Sequence, residues 1–193
     1  MAENRSRPIP ESSRTRRTGA TPVRRVASGV KGAKRSRAES GPAAVRRQLQ
    51  AYADRGVFRG FTERPARAGR LYFRFAWLAR DPFNLTYEPK TGIFTFTNVL
   101  PNVLARSAFH DDLKRFIEGR SMAKLPAHRR IDPRRAKAGC SSRRGTLLIQ
   151  VTAKRGQHGY GLNRAVNLVH EVFLHLHSYF PEYLWENYDI AQE

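Results

Sequence analysis

Acidic side chains are scarce: 16 Asp plus Glu stand against 36 Lys plus Arg, giving a formal net charge of +20 over 193 residues. That is far from the near-neutral balance of an ordinary small enzyme. Cysteine is nearly absent as well. Cys140 alone cannot form an intramolecular disulfide or build a cysteine-based zinc site, so the chain fits a reducing compartment. No run approaches the roughly 18 apolar residues of a membrane-spanning helix, and the polar N-terminus lacks the apolar core of a secretory signal. These absences predict a soluble, cytoplasmic protein without a membrane partner. Hydrophobic residues make up 40% of the chain, enough for one domain of ordinary size but not for two.

The charge is unevenly placed. Residues 1–42 carry a net +8, 43–119 a net +6, 120–155 a net +10 and 156–193 a net −4. Such polarity favours oriented docking. Residues 1–41 contain Arg, Ser, Thr, Pro, Gly and Ala but no aromatic residue and no periodic apolar pattern, so they cannot offset the entropy of ordering and read as a disordered basic arm. Their Arg and Ser content resembles an organelle transit peptide, but Pro8, Pro10, Pro22 and the missing apolar helical face argue against one.

From Pro42 the pattern becomes that of a folded domain, expected to span 42–193. Val45, Leu49 and Tyr52 have helical spacing before Gly56. Between Arg70 and Arg80 the period changes to two, with Leu71, Phe73, Phe75 and Trp77 on one side. Asn84 to Tyr87 and Ile93 to Val99 flank a Pro- and Gly-containing turn and complete a three-stranded meander. A second helix is expected over Val103 to Glu118 from Phe109, Leu113, Phe116 and Ile117. Residues 120–144 show no periodicity, two prolines and nine basic side chains, and read as a long basic loop. Thr146 to Ala153 is strand-like, and Leu162, Val166, Val169, Val172, Phe173, Leu176 and Phe180 stripe a long helix that Pro181 follows with a short one.

The reading is an α+β two-layer sandwich of order α-β-β-β-α-β-α-α, with a mainly antiparallel four-stranded sheet and its helices on one face. This order resembles the small helix-and-sheet domain of type III secretion chaperones. The resemblance implies a protein-interaction module.

Few motifs carry chemistry. His170 and His175 suggest a zincin helix, but that pattern sets its histidines on one face, and here they are five residues apart. Cys140 to Arg144 lacks the arginine a phosphatase loop needs, Thr146 standing in its place; the thiol is read as incidental, the alternative being an exposed thiol activated by the neighbouring arginines. No Ser/His/Asp set, carboxylate pair or cysteine with an ordered base falls at a plausible spacing, so the chain is read as non-catalytic, with no metal and no cofactor.

The best local site is the strand-to-helix turn of Lys154, Arg155, Gly156, His158, Gly159 and Tyr160, with Arg164 one turn into the helix. Uncapped backbone amides and the helix dipole favour an anion there, and glycine lets it approach. The glycine order is not a dinucleotide fingerprint, and no Gly-Lys-Ser/Thr follows. Arg129, Arg130, Arg134, Arg135, Arg143 and Arg144 of the basic loop add phosphate-neutralising charge. Tyr72 and Arg74, on the polar side of the first strand, are a candidate stacking platform. Together these predict a nucleic-acid-binding accessory protein contacting the phosphates of DNA or RNA with little sequence preference. The alternative is a chaperone-like or adaptor module that takes an acidic protein partner through the exposed sheet face and the terminal helices.

Overall fold

The computed structural model describes residues 41–79 and 81–188; the predicted arm up to residue 40 lies outside them. The chain runs α1 (Gly41–Asp54), β1 (Arg59–Arg67), β2 (Arg70–Ala76), β3 (Phe83–Glu88), β4 (Ile93–Leu100), α2 (Ala108–Gly119), β5 (Ala136–Arg143), β6 (Thr146–Ala153), α3 (His158–Tyr179) and α4 (Pro181–Tyr188). The class is α+β. All strand pairs are antiparallel, and the sheet order is β1-β2-β3-β4-β6-β5.

The sheet therefore has six strands where the sequence pattern predicts four. Both additions are edges, β1 and β5. The second corrects the predicted loop 120–144: only 120–135 is a connection, and 136–143 is a strand paired along its whole length with β6. The second helix also begins later than Val103. Ser107 caps it by accepting the His110 N–H through its hydroxyl, while the Val103 N–H is spent on the Gly145 carbonyl. The strand β2 ends at Ala76, yet Trp77 still packs edge-on against Phe58 and Phe83.

Register explains the core. Phe73, Leu85, Phe96, Ile149 and Cys140 form one rank across five strands, and Arg64, Tyr72, Thr86, Thr95, Gln150 and Gly139 form a rank of the opposite face. The first rank joins the buried cluster with Val45 and Leu49 of α1, Leu113 and Ile117 of α2, the α3 stripe and Leu184 of α4. Each large apolar side chain so buried contributes roughly 1.5–3 kcal/mol. The second rank is partly or fully exposed. Close seating of α3 depends on Gly161: a Cβ there would lie 2.5 Å from the Ala153 Cβ and 2.9 Å from the Phe94 ring. No helix among the described residues is long and apolar enough to cross a membrane.

Candidate nucleic-acid interface

The turn between β6 and α3 is fixed at both ends. Gly156 adopts φ +76°, a conformation that favours glycine, and the Gln157 N–H closes the turn on the Lys154 carbonyl at 2.9 Å. Gln157 then occupies the N-cap of α3 but makes no side-chain cap. Its carboxamide oxygen instead accepts from Arg135 Nε at 2.7 Å. The helix thus starts without a capping side chain, in a neighbourhood of guanidinium groups.

The connection 120–135 is held by polar contacts from α3 and from the turn before it. The Lys154 N–H donates to the Arg135 carbonyl at 2.9 Å, extending the β5–β6 ladder by one rung. The Tyr160 hydroxyl accepts the Asp132 N–H at 2.8 Å, and its ring lies 3.8 Å from the Arg135 guanidinium and 5.0 Å from that of Arg164. Arg164 donates to the His128 carbonyl. Ile131 is buried beneath, with its N–H on the Arg120 carbonyl at 2.8 Å. Two helical turns beyond Arg164 lies Glu171, the one buried charged residue among the described residues, which accepts from both Arg120 and Arg129, the latter at 3.1 Å from Nε. Sequence reading missed Glu171, Arg120, Asp132 and Gln157 as organising groups. Their only signal is helical spacing: Tyr160, Arg164 and Glu171 share one face of α3.

This arrangement brings Arg134 and Arg135 together with Lys154, Arg155 and Arg164, while Arg129 reaches α3 farther along, at Glu171, and Arg130 donates to the Ala123 carbonyl. Of these, Arg129, Arg134, Arg135, Lys154 and Arg155 are exposed. Asp132 is the one acidic residue between 120 and 155, and its carboxylate accepts the Arg134 N–H at 2.9 Å. His158 is turned to a structural task, its Nδ1 lying 2.9 Å from the Tyr87 hydroxyl. Tyr160 spends its ring on two guanidinium groups and its hydroxyl on the loop. Gly156 and Gly159 provide the turn and the first helical turn.

Four other predicted residues lie elsewhere. Arg143 and Arg144 form the β5–β6 hairpin, at the opposite end of the ladder from Ala136 and Ala153 and about 23 Å from them along the strands. Tyr72 and Arg74 lie on the exposed sheet face, paired across to Thr86 and Asn84.

The alternative of an activated Cys140 thiol finds no support. The side chain sits half-buried on the inner rank, and desolvation pushes the thiol up to about 11, assisted by Glu118 and opposed by Lys114. Glu171 and His175 are likewise committed: the His175 Nε2 lies 2.8 Å from Asp112 Oδ2 and its ring stacks on Phe116 at 4.1 Å. Among the described residues no group of three His, Cys, Asp or Glu side chains is placed to hold a metal.

Comparison with protein-family models, with curated proteins and with solved structures found no match, so the likeness of element order to the secretion chaperones gains no support from them.

Proposed function

We propose that this chain is a non-catalytic nucleic-acid-binding accessory protein, acting in the cytoplasm, that grips phosphates with little sequence preference. One observation carries the reading: Arg134, Arg135, Lys154 and Arg155 are exposed together beside a helix N-terminus that lacks a side-chain cap. Closely set cations neutralise phosphates and release counterions, and helix amides add directional donors. The basic segment before residue 41 raises the same field through its composition alone, a net +8 over residues 1–42. The test is binding to mixed single- and double-stranded oligonucleotides across a salt series. Affinity in the micromolar range or tighter that falls steeply and linearly in log–log form supports the reading, and no binding at low salt refutes it.

A second reading, a protein-interaction module, is favoured by the far end of the molecule. Phe109, Phe180 and Tyr183 line a groove there beside exposed Glu182 and Glu186, next to Trp185, which is 60% exposed. In a two-layer arrangement the sheet face bearing Tyr72 and Arg74 is also free for a partner.

A further inference from the structure

A cleft of about 340 Å³ lies between the end of α2 and the C-terminal half of α3, in the range of small-ligand pockets. Its wall includes Arg120, Arg129, Glu171, His175, Ser178 and Tyr179. Arg120 and Arg129 both donate to the single Glu171 carboxylate. Arg164 joins the same two arginines and Glu171 around a smaller adjoining cavity. Guanidinium groups stay protonated in proteins, so three positive charges surround the one Glu171 carboxylate, with Arg129 exposed and Arg120 largely buried.

The surroundings do not balance it. Asp112 is engaged with His175 at 2.8 Å and with Arg115 at 3.4 Å. The Nε atoms of Arg120 and Arg164 are both buried and have no hydrogen-bond partner among the described residues, a costly state for a charged donor. Besides its bond to Glu171, Arg120 packs on the face of the Phe116 ring, at 4.2 Å. In the cleft itself Arg120 and Arg129 face the single Glu171 carboxylate, an excess of one positive charge that favours an anionic group such as a phosphate. Tyr179, 70% exposed and 4.8 Å from the His175 ring, offers a flat apolar surface at the rim for the group the phosphate carries.

We infer that this cleft binds a phosphate monoester bearing a flat ring, a nucleoside 5′-monophosphate either free or as the phosphorylated end of a nucleic acid. The phosphate meets Arg120 and Arg129, and the base stacks on Tyr179. The site touches the basic connection through Arg129, but its cleft is built on the C-terminal half of α3, away from the turn at Gly156.

The test is calorimetric titration of the full chain with adenosine 5′-monophosphate, adenosine and inorganic phosphate. The monophosphate is expected to bind at least about tenfold more tightly than adenosine, because charge-assisted bonds to phosphate dominate. Arg120→Met removes one cation but also perturbs the buried cluster. Ser178→Glu therefore carries the test from an exposed helix position: it leaves the circular dichroism unchanged and weakens the monophosphate by about tenfold or more through like-charge repulsion. Arg134→Ala/Arg135→Ala, aimed at the interface, leaves monophosphate binding intact. A 5′-phosphorylated oligonucleotide that binds tighter than its unphosphorylated twin assigns the site to nucleic-acid ends, and equal binding of the two assigns it to free nucleotide. Equal affinity for adenosine and its monophosphate, or monophosphate binding unchanged by Ser178→Glu, overturns the inference.

Discussion

The Asp132 N–H donates to the Tyr160 hydroxyl at 2.8 Å, and this bond joins the middle of the basic connection to the first turn of α3. Both groups are partly buried, so the N–H has no ready replacement in solvent. Tyr160→Phe keeps the ring that Arg135 and Arg164 cover and removes the hydroxyl, which accepts from Asp132 and donates to the Arg130 carbonyl at 3.5 Å. It is expected to lower unfolding free energy by about 1–2 kcal/mol in urea with an unchanged m-value. Full stability in Tyr160→Phe would show that the connection is held by other contacts.

Glu171 is the deeper anchor. Removing one partner of a buried ion pair leaves uncompensated charge and typically costs about 3–5 kcal/mol. Arg129 is 44% exposed and partly screened, whereas Arg120 is 13% exposed. Glu171→Gln should therefore destabilise by about 3 kcal/mol, mostly through Arg120. Arg129→Met should cost well under half of that, which thermal or urea unfolding of the two variants measures.

Alkaline pH should unfold this protein early. Burial pushes the Cys140 thiol from 9.0 up to about 11 and the Tyr87 hydroxyl from 10.0 up to about 12. Tyr183 and Tyr188 are also raised, again by desolvation first. In each case the folded state holds the proton longer than the unfolded state. The associated stability is intact below pH 9 and is lost as pH rises through the folded-state values. A denaturation series from pH 8 to 11 checks this, and a flat profile contradicts it.

The same burial bears on reactivity. A thiolate is the reactive form, so Cys140 should react slowly with a disulfide reagent at pH 8 in the native protein and rapidly once urea exposes it. Equal rates in the two states would place the thiol at the surface.

Strong periodicity made most of the fold legible. The stripe from Leu162 to Leu176 and the alternation from Leu71 to Phe75 are both buried as their spacing requires. The two edge strands escaped for different physical reasons. In β1, Phe61 stands between Gly60 and Pro65 among charged residues, which an edge tolerates because it pairs on one side only. In β5 the inner-facing residues are Ala136, Ala138 and Cys140, small side chains under α2 that carry little β signal. Missing β5 also hid the site. Its register with β6, Ala136 opposite Ala153, is what sets Arg135 beside Lys154. The turn itself was readable from its glycines and charges. The clustering of Arg134 and Arg135 around it was not, because that depends on long-range pairing rather than on local sequence.

The central claim is that phosphate contacts concentrate at the start of α3 and not across the whole basic surface. Salt-dependent binding of a single-stranded oligonucleotide by Arg134→Ala/Arg135→Ala tests it most directly, with Arg143→Ala/Arg144→Ala as the control about 23 Å away along the strands. The account predicts weaker binding by the first variant, equally for unrelated sequences, with its log–log slope shallower by about 1.4 for two lost contacts. The control should keep the parent slope. Equal losses in both variants would mean that the chain binds through its net charge alone and would contradict the localised interface.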